Sequence, residues 1–191
     1  MKALFKTIES LVSLPDASKE NLVSLISKKT LKKKDTLAKA GEIPENIYIL
    51  KSGIARSFYS DEKGKEYIRS FFTPIRAVGA LGALILNKPS KFSYDCLSDC
   101  KIYSINFKSF KELAKKDPAI ANLYAKVLEV VFLELESKVY NLSVLNATQR
   151  YKKLKKRIPE IENLVPLYHI AAYLNITAVQ LSRIRKEMYS K

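Results

Sequence analysis

The hydrophobic period changes once in this chain, and that change constrains the fold more than any other feature. From about residue 30 to 107 apolar and polar residues alternate. "NIYILKSGIARSFYS" and "KEYIRSFF" are rich in Ile, Tyr and Phe, and "DEKG" (Asp61 to Gly64) lies between them. A later pair, "FSYDCLS" and "KIYSIN", repeats the pattern. Short alternating runs separated by turn residues predict antiparallel strands in a sandwich or roll. From Pro118 the spacing becomes helical. Leu123, Val127, Val130, Val131, Leu135, Val139 and Leu142 share one broad seam, behind an Asp117 cap and Pro118 in the first turn. A helix running to Leu142 is long for a small domain. Its seam suits two uses, covering the sheet and pairing with a second copy of the chain.

The ends of the chain read as helical. Leu4, Ile8, Leu11 and Val12 fall on one stripe, and Asp16 is placed to cap a second run to Ile26. "SKKTLKKKD" follows as a polar, basic stretch. Near the C-terminus, "ATQRYKKLKKRIP" is expected to start at a Thr148 cap and to stop at Pro159. "VPLYHIAAYL" and "TAVQLSRIRKEM" then flank a single short turn.

Charge narrows the partners. Lys and Arg number 34 against 19 Asp and Glu, a formal +15. The final 49 residues hold ten basic and three acidic side chains, so +7 of that excess sits there. Such a balance favours a polyanionic partner. No run approaches a membrane span, and "MKALFKTIESLV" is broken by Lys6 and Glu9 where a signal peptide would be apolar. A cytoplasmic location is expected. Cys96, Cys100 and one distant histidine, His169, cannot assemble a four-ligand zinc site, and no metal site is expected. A single histidine also removes cupin-type metal chemistry and histidine-based triads. Glu134 and Glu136 stand two apart on a helix and do not converge, and no phosphate-binding glycine loop is present. No catalytic residue is assigned, and the chain is not expected to be an enzyme.

The tail has the geometry of a helix-turn-helix. Ile170 and Leu174 lie one turn apart, Ala171 is small enough for a close crossing, and Asn175 tolerates left-handed backbone. Thr177 is a good N-cap, and Leu181, Ile184 and Met188 form the inward stripe of the last helix. The opposite face carries Val179, Ser182, Arg183 and Lys186, beside Thr177 and Ala178 at its start. Arg pairs bidentately with guanine, Val touches a thymine methyl, and Ser bonds bases or phosphates. Arg185 and Gln180 are the candidate phosphate contacts.

Helices, a roll, one long helix and a helix-turn-helix, in this order, resemble the Crp/Fnr family of transcription regulators over essentially the whole chain. "IYILKSGIARSFYSDEKGKEYIRSFFTPIRAVGALGAL" is similar to the family's cyclic-nucleotide-binding roll, with Gly53, Gly64 and Gly79 at its turns. "DPAIANLYAKVLEVVFLELE" is similar to its dimerisation helix, and Ser182-Arg183 to its recognition-helix Ser-Arg. The resemblance implies an α+β fold: N-terminal helices and an antiparallel, jelly-roll-like β-roll, a long dimerisation helix, and a C-terminal helix-turn-helix. It implies a sensor domain over 1–116, a dimerisation helix over 117–142 and a DNA-binding domain over 143–191. It also implies a homodimer on double-stranded DNA, with RNA polymerase as a further partner and no membrane.

The departures from the family concern the effector. Cyclic-nucleotide members carry Gly-Glu-Leu and, after a short helix, Arg-Ser/Thr-Ala. Here the first part reads Gly79-Ala80-Leu81, so the carboxylate is missing. Ser90-Lys91-Phe92 stand where the second should be, without the arginine and with Phe92 in a place kept small. The adenine-binding hydroxyl positions fall at Leu135 and Glu136. Gly79, Ala80, Leu81, Ser90, Lys91, Leu135 and Glu136 read as a degenerate pocket, and neither cyclic AMP nor another cofactor is expected. Iron–sulfur and haem sensing lack their ligands as well. Many relatives continue into a β-wing; here Tyr189, Ser190 and Lys191 alone follow the recognition helix, so no wing is expected. Three readings stay open: a regulator without an effector, one answering a different small molecule or cyclic nucleotide bound in the roll, and a dimeric module whose basic tail grips a membrane or an acidic protein.

Overall fold

The computed structural model describes residues 1–189; Ser190 and Lys191, on which the absence of a wing was partly read, lie outside the described residues. The chain begins with α1 (Lys2–Glu9) and α2 (Asp16–Ser24), then β1 (Ile26–Leu31), β2 (Thr36–Ala38), β3 (Asn46–Ser52), β4 (Ala55–Ser60), β5 (Glu66–Phe72) and β6 (Arg76–Val78). α3 (Leu81–Leu86), β7 (Ser93–Cys96), β8 (Cys100–Asn106) and α4 (Phe107–Lys116) complete the first half. α5 (Pro118–Val144), α6 (Ala147–Arg157), α7 (Ile161–Leu164), α8 (Leu167–Leu174) and α9 (Ala178–Tyr189) follow.

Among the described residues eight strands form two four-stranded sheets, in the orders β1-β8-β3-β6 and β2-β7-β4-β5. Strand alternation explains how the roll has two cores. On β8, Cys100 and Ile102 face the roll interior with Leu50, Val78, Tyr94 and Cys96. Their neighbours Tyr103 and Ile105 face the other way, against Leu4, Ile8, Leu22, Ile120 and Leu123 of the helices. The β4–β5 turn closes as expected. Gly64 takes φ +76°, and the Asp61 carboxylate accepts from the backbone N–H of Lys63 and Lys65 at 3.0 and 2.9 Å.

Three local expectations are corrected. The helical run expected to reach Ile26 ends at Ser24, and the basic stretch after it opens as β1, paired with β8 from Ile26↔Ile105 to Leu31↔Cys100. β1 has one sheet neighbour, so backbone pairing holds it, and exposed lysines suit an edge strand that must not recruit another chain. Pro15, with Asp16 as the first helical residue, starts α2. Asn146 rather than Thr148 caps α6. Its side chain accepts from Gln149 N while Gln149 Oε1 accepts from Asn146 N, a reciprocal capping box.

The Asp117 cap of α5 holds: its carboxylate accepts from Ala119 N at 2.9 Å and Ile120 N at 3.3 Å. α5 buries its first turns through Ile120 and Leu123. Beyond them Phe132, Leu135, Val139 and Leu142 are 64%, 41%, 63% and 51% exposed. The chain forms two compact units, one of Met1–Ser57 with Phe71–Leu133, the other of Phe58–Ser70 with Glu134–Lys191.

Candidate nucleic-acid interface

α8 buries Ile170, Ala171 and Leu174 and ends at Asn175, whose φ of 54° and ψ of 46° are left-handed. After Gly, Asn adopts this backbone most readily, because its short polar side chain can hydrogen-bond locally. Thr177 and Gln180 then form a second capping box. Gln180 N donates to Thr177 Oγ1 at 3.1 Å, and Thr177 N donates to Gln180 Oε1 at 2.9 Å. Leu181 and Ile184 of α9 are buried. Thr177, Ala178, Val179, Gln180, Ser182, Arg183 and Lys186 are all exposed. They lie on one continuous face because 100° per residue separates 179, 182, 183 and 186 from 181 and 184.

Arg185 is not on that face. Its Nε donates to Glu162 Oε1 at 2.7 Å. Glu162, on α7, gathers four side chains from two other helices, α6 and α9. Lys155 Nζ donates to its other oxygen at 2.8 Å, Tyr189 Oη donates to that same oxygen at 3.0 Å, and the Tyr151 hydroxyl donates to Oε1. Arg150 adds a further tie, donating to Leu145 O at 2.6 Å and to Leu174 O, at the end of α8, at 3.0 Å. These contacts orient α9 on α6 and α7.

Burial alone would push the Glu162 carboxyl up. Hydrogen bonds from Lys155, Tyr151, Tyr189 and Arg185 together outweigh it and bring the group down to about 2. A carboxyl lowered in the folded state stabilises above its unfolded value, and the effect is lost as pH falls through the folded one. Acid should therefore loosen this docking between about pH 4.5 and about 2. Glu162→Gln removes the charge and leaves two cations facing a neutral amide, a loss of roughly 2–3 kcal/mol in a partly exposed site. Urea melts at stepped pH check this. The variant should be weaker at pH 7 and lack the acid step; superimposable curves would sink the assignment.

The other predicted residues lie in the roll and on α5. Ala80 is 5% exposed and packs in the roll interior with Leu50, Val78 and Tyr94, and Phe92 packs against the same cluster. Gly79 precedes it, and Leu81 opens α3 half-buried. Ser90 is buried with its hydroxyl turned on Phe92: it donates to Phe92 O at 2.6 Å and accepts from Phe92 N at 3.2 Å. Lys91 is exposed. Leu135 and Glu136 are exposed on α5, in the second unit. Cys96 and Cys100 are buried and unbridged. Among the described residues no cluster of His, Cys, Asp and Glu has metal-ligand geometry, and no helix is long and apolar enough to cross a membrane.

Sequence reasoning missed an ion pair between two strands of the roll. Arg56 on β4 clasps Asp95 on β7 through Nε–Oδ1 at 2.8 Å and Nη2–Oδ2 at 3.0 Å, with side chains 8% and 18% exposed. The two residues are far apart in the chain, and only strand order makes them neighbours. Alternation puts both on the strand face opposite Ala55, Tyr94 and Cys96, which pack in the roll interior.

Residues 28–117 match the family model of the cyclic nucleotide-binding domain. The anaerobic regulatory protein of Haemophilus influenzae is 27% identical over 168 residues, which cover 82% of this chain and 65% of that protein. The cAMP-activated global transcriptional regulator CRP of Pasteurella multocida is 29% identical over 117 residues, 61% of this chain and 56% of that protein. The chain therefore spans about two thirds or less of the length of these relatives. Among solved structures, FixK2 from Bradyrhizobium japonicum superposes with a TM-score of 0.73 at 17% identity, covering 86% of this chain and 85% of that one. The c-di-GMP responsive global regulator CLP of Xanthomonas campestris gives 0.71 at 14% identity, covering 92% of each. At these identities the structural likeness concerns the fold.

Proposed function

We propose that the chain is a transcription regulator of the Crp/Fnr type, a homodimer that reads a two-fold symmetric DNA site without cyclic AMP. The observation that carries the reading is the face of α9. Val179, Ser182, Arg183 and Lys186 are exposed together while Leu181 and Ile184 anchor the helix. Val179 and Arg183 would read base edges, and Lys186 would hold phosphate. Arg185, engaged with Glu162, acts by orienting the helix.

Dimerisation is assigned to α5, within 117–142. Phe132, Leu135, Val139 and Leu142 are exposed with 3-4-3 spacing, the repeat by which two helices bury a common seam. Residues 1–116 would form the sensor module and 143–191 the DNA-reading one. RNA polymerase is the expected further partner, the cytoplasm the expected location, and catalysis is no part of the role.

The roll supports the view that its cyclic-nucleotide pocket is degenerate. Ala80 stands in place of the ribose-binding carboxylate, Lys91 points to solvent, and Phe92 occupies the interior. Leu135 and Glu136 offer no hydroxyl. A regulator answering another effector in the roll remains the second reading, and titration of the protein with a panel of cyclic mononucleotides and dinucleotides separates the two.

Selection of bound sequences from random duplexes, without added ligand, tests the main reading. The expected product is a palindrome with half-sites about one helical turn apart. Arg183→Ala should then weaken cognate binding by about 1–3 kcal/mol and relax one base position. Salt-sensitive retention with no recovered motif would overturn sequence reading by this chain alone.

A further inference from the structure

The first compact unit carries a groove of about 620 Å³ outside the roll interior. It lies among the approach to β3, α3, the start of α4 and the first turns of α5, and every residue lining it belongs to that unit. Its walls are largely aliphatic. Leu84 is buried, while Ile43 and Ile85 are 53% and 50% exposed. Its aromatic rings are already engaged. Phe107 meets Tyr124 edge-on at 6.2 Å between ring centres, and Phe110 meets the same ring at 5.7 Å. Lys111 lays its ammonium 4.4 Å from the Tyr124 ring centre.

Two cations line this one groove, Lys108 and Lys111, a turn apart on α4. Neither forms an ion pair among the described residues, and Glu112, the one acid of α4, is held by Lys115 at 2.7 Å. Asn106 lines the groove beside them. Its side-chain oxygen accepts from Ser109 N at 3.0 Å and Ser109 Oγ at 3.2 Å, and its amide N–H groups have no acceptor among the described residues. Glu45 is the one carboxylate in the lining.

Size and lining select the class of ligand. Small-molecule sites span roughly 300–1,000 Å³, whereas a stable protein partner covers about 800 Å² on each side. Apolar side chains left in water favour a ligand that covers them. Two ammonium groups and an amide N–H along one edge favour an anion with oxygen acceptors there. The rings are taken by one another and by Lys111, so an aliphatic body fits the remaining walls better than a stacked ring.

We propose that this groove binds a small carboxylate with an aliphatic chain. The chain covers Ile43, Leu84 and Ile85, and the carboxylate accepts from Lys108, Lys111 and Asn106. Glu45 repels the head group and so confines it to the α4 side. The site is separate from the roll interior and from α9, so it stands or falls independently of the DNA reading.

The test uses the full chain with isoleucine methyl groups labelled for NMR, and decanoate below its micelle concentration as the probe. Decanoate should shift Ile43 and Ile85 and leave Ile102, in the roll interior, unmoved. Decan-1-ol has the same chain without the charge and should bind about tenfold more weakly. Lys108→Met and Lys111→Met keep an apolar stem and remove the charge. Each should weaken decanoate binding by about fivefold, and the pair by about 20-fold, read by calorimetry. Lys108 is exposed, so its variant should melt like the parent and lost binding is not lost folding. Glu45→Gln should tighten binding by about twofold, because it removes a repelling charge. Shifts at Ile102 in place of Ile43 and Ile85 would put the ligand in the roll and overturn the groove site. No shift at Ile43 and Ile85, decanol binding as tight as decanoate, or an unchanged affinity in the double variant would overturn it equally.

Discussion

Val139→Glu combined with Leu142→Glu should leave a folded monomer that binds DNA at least about 100-fold more weakly, since two linked reading heads gain avidity of roughly 10²–10⁴ over one. Both side chains are more than half exposed in the single chain, so the substitutions leave its core intact. In a dimer each would lie on the seam twice. Burying one Val or Leu is worth about 1.5–3 kcal/mol relative to leaving it in water. Four such losses, with four carboxylates brought face to face, exceed what a helix pair of this length retains. Sedimentation equilibrium reads the state of association, circular dichroism the fold, and fluorescence anisotropy on the selected palindrome the affinity. A variant that remains dimeric places the interface elsewhere; one that is monomeric yet binds DNA undiminished removes the two-headed mechanism.

The second large effect concerns Asp95. Asp95→Ala takes the carboxylate from a guanidinium that is 7% exposed in the roll. Breaking a buried pair from one side costs about 3–5 kcal/mol, because the remaining charge keeps its desolvation penalty. Replacing both partners is milder: Arg56→Met with Asp95→Leu should come within about 1–2 kcal/mol of the parent or exceed it, as buried pairs exchanged for apolar residues often do. Urea unfolding of the three variants gives the coupling directly. If Asp95→Ala costs under about 1 kcal/mol, water reaches Arg56 and the roll is more open than its packing indicates.

Much of the molecule is legible in local pattern. β3, β4, β5 and β8 show as short runs rich in Ile, Tyr and Phe, in which residues two apart share a face and β3 and β8 turn their two faces to different cores. The Asp117–Pro118 start of α5, the Asp61–Gly64 turn and the Asn175–Thr177 junction are readable because the residues that shape the backbone there are the residues themselves. β1 escapes because an edge strand is stabilised by its neighbour's backbone, which leaves no apolar signature in its own side chains. The α6 cap escapes by two positions, since Asn146 and Thr148 both carry a suitable oxygen and only the chain's path selects one.

The candidate site divides the same way. The outward row of α9 follows from 3.6-residue periodicity, which needs no partner to be counted. Arg185 shares the charge of Arg183 and differs in fate, because helix rotation turns one toward Glu162 and the other toward solvent. Glu162 sits in "IPEIENL" with nothing nearby to mark it, yet it gathers Tyr151, Lys155, Arg185 and Tyr189. Arg56 and Asp95 are ordinary charged residues until two strands are paired in one sheet. The kinds of element, their order and the chemistry of the exposed reading face are written in the local sequence, because they depend on neighbours within a turn or a strand. Tertiary structure alone decided which charges are spent inside the protein and which remain for a partner, because that choice depends on burial and on contacts made across the chain.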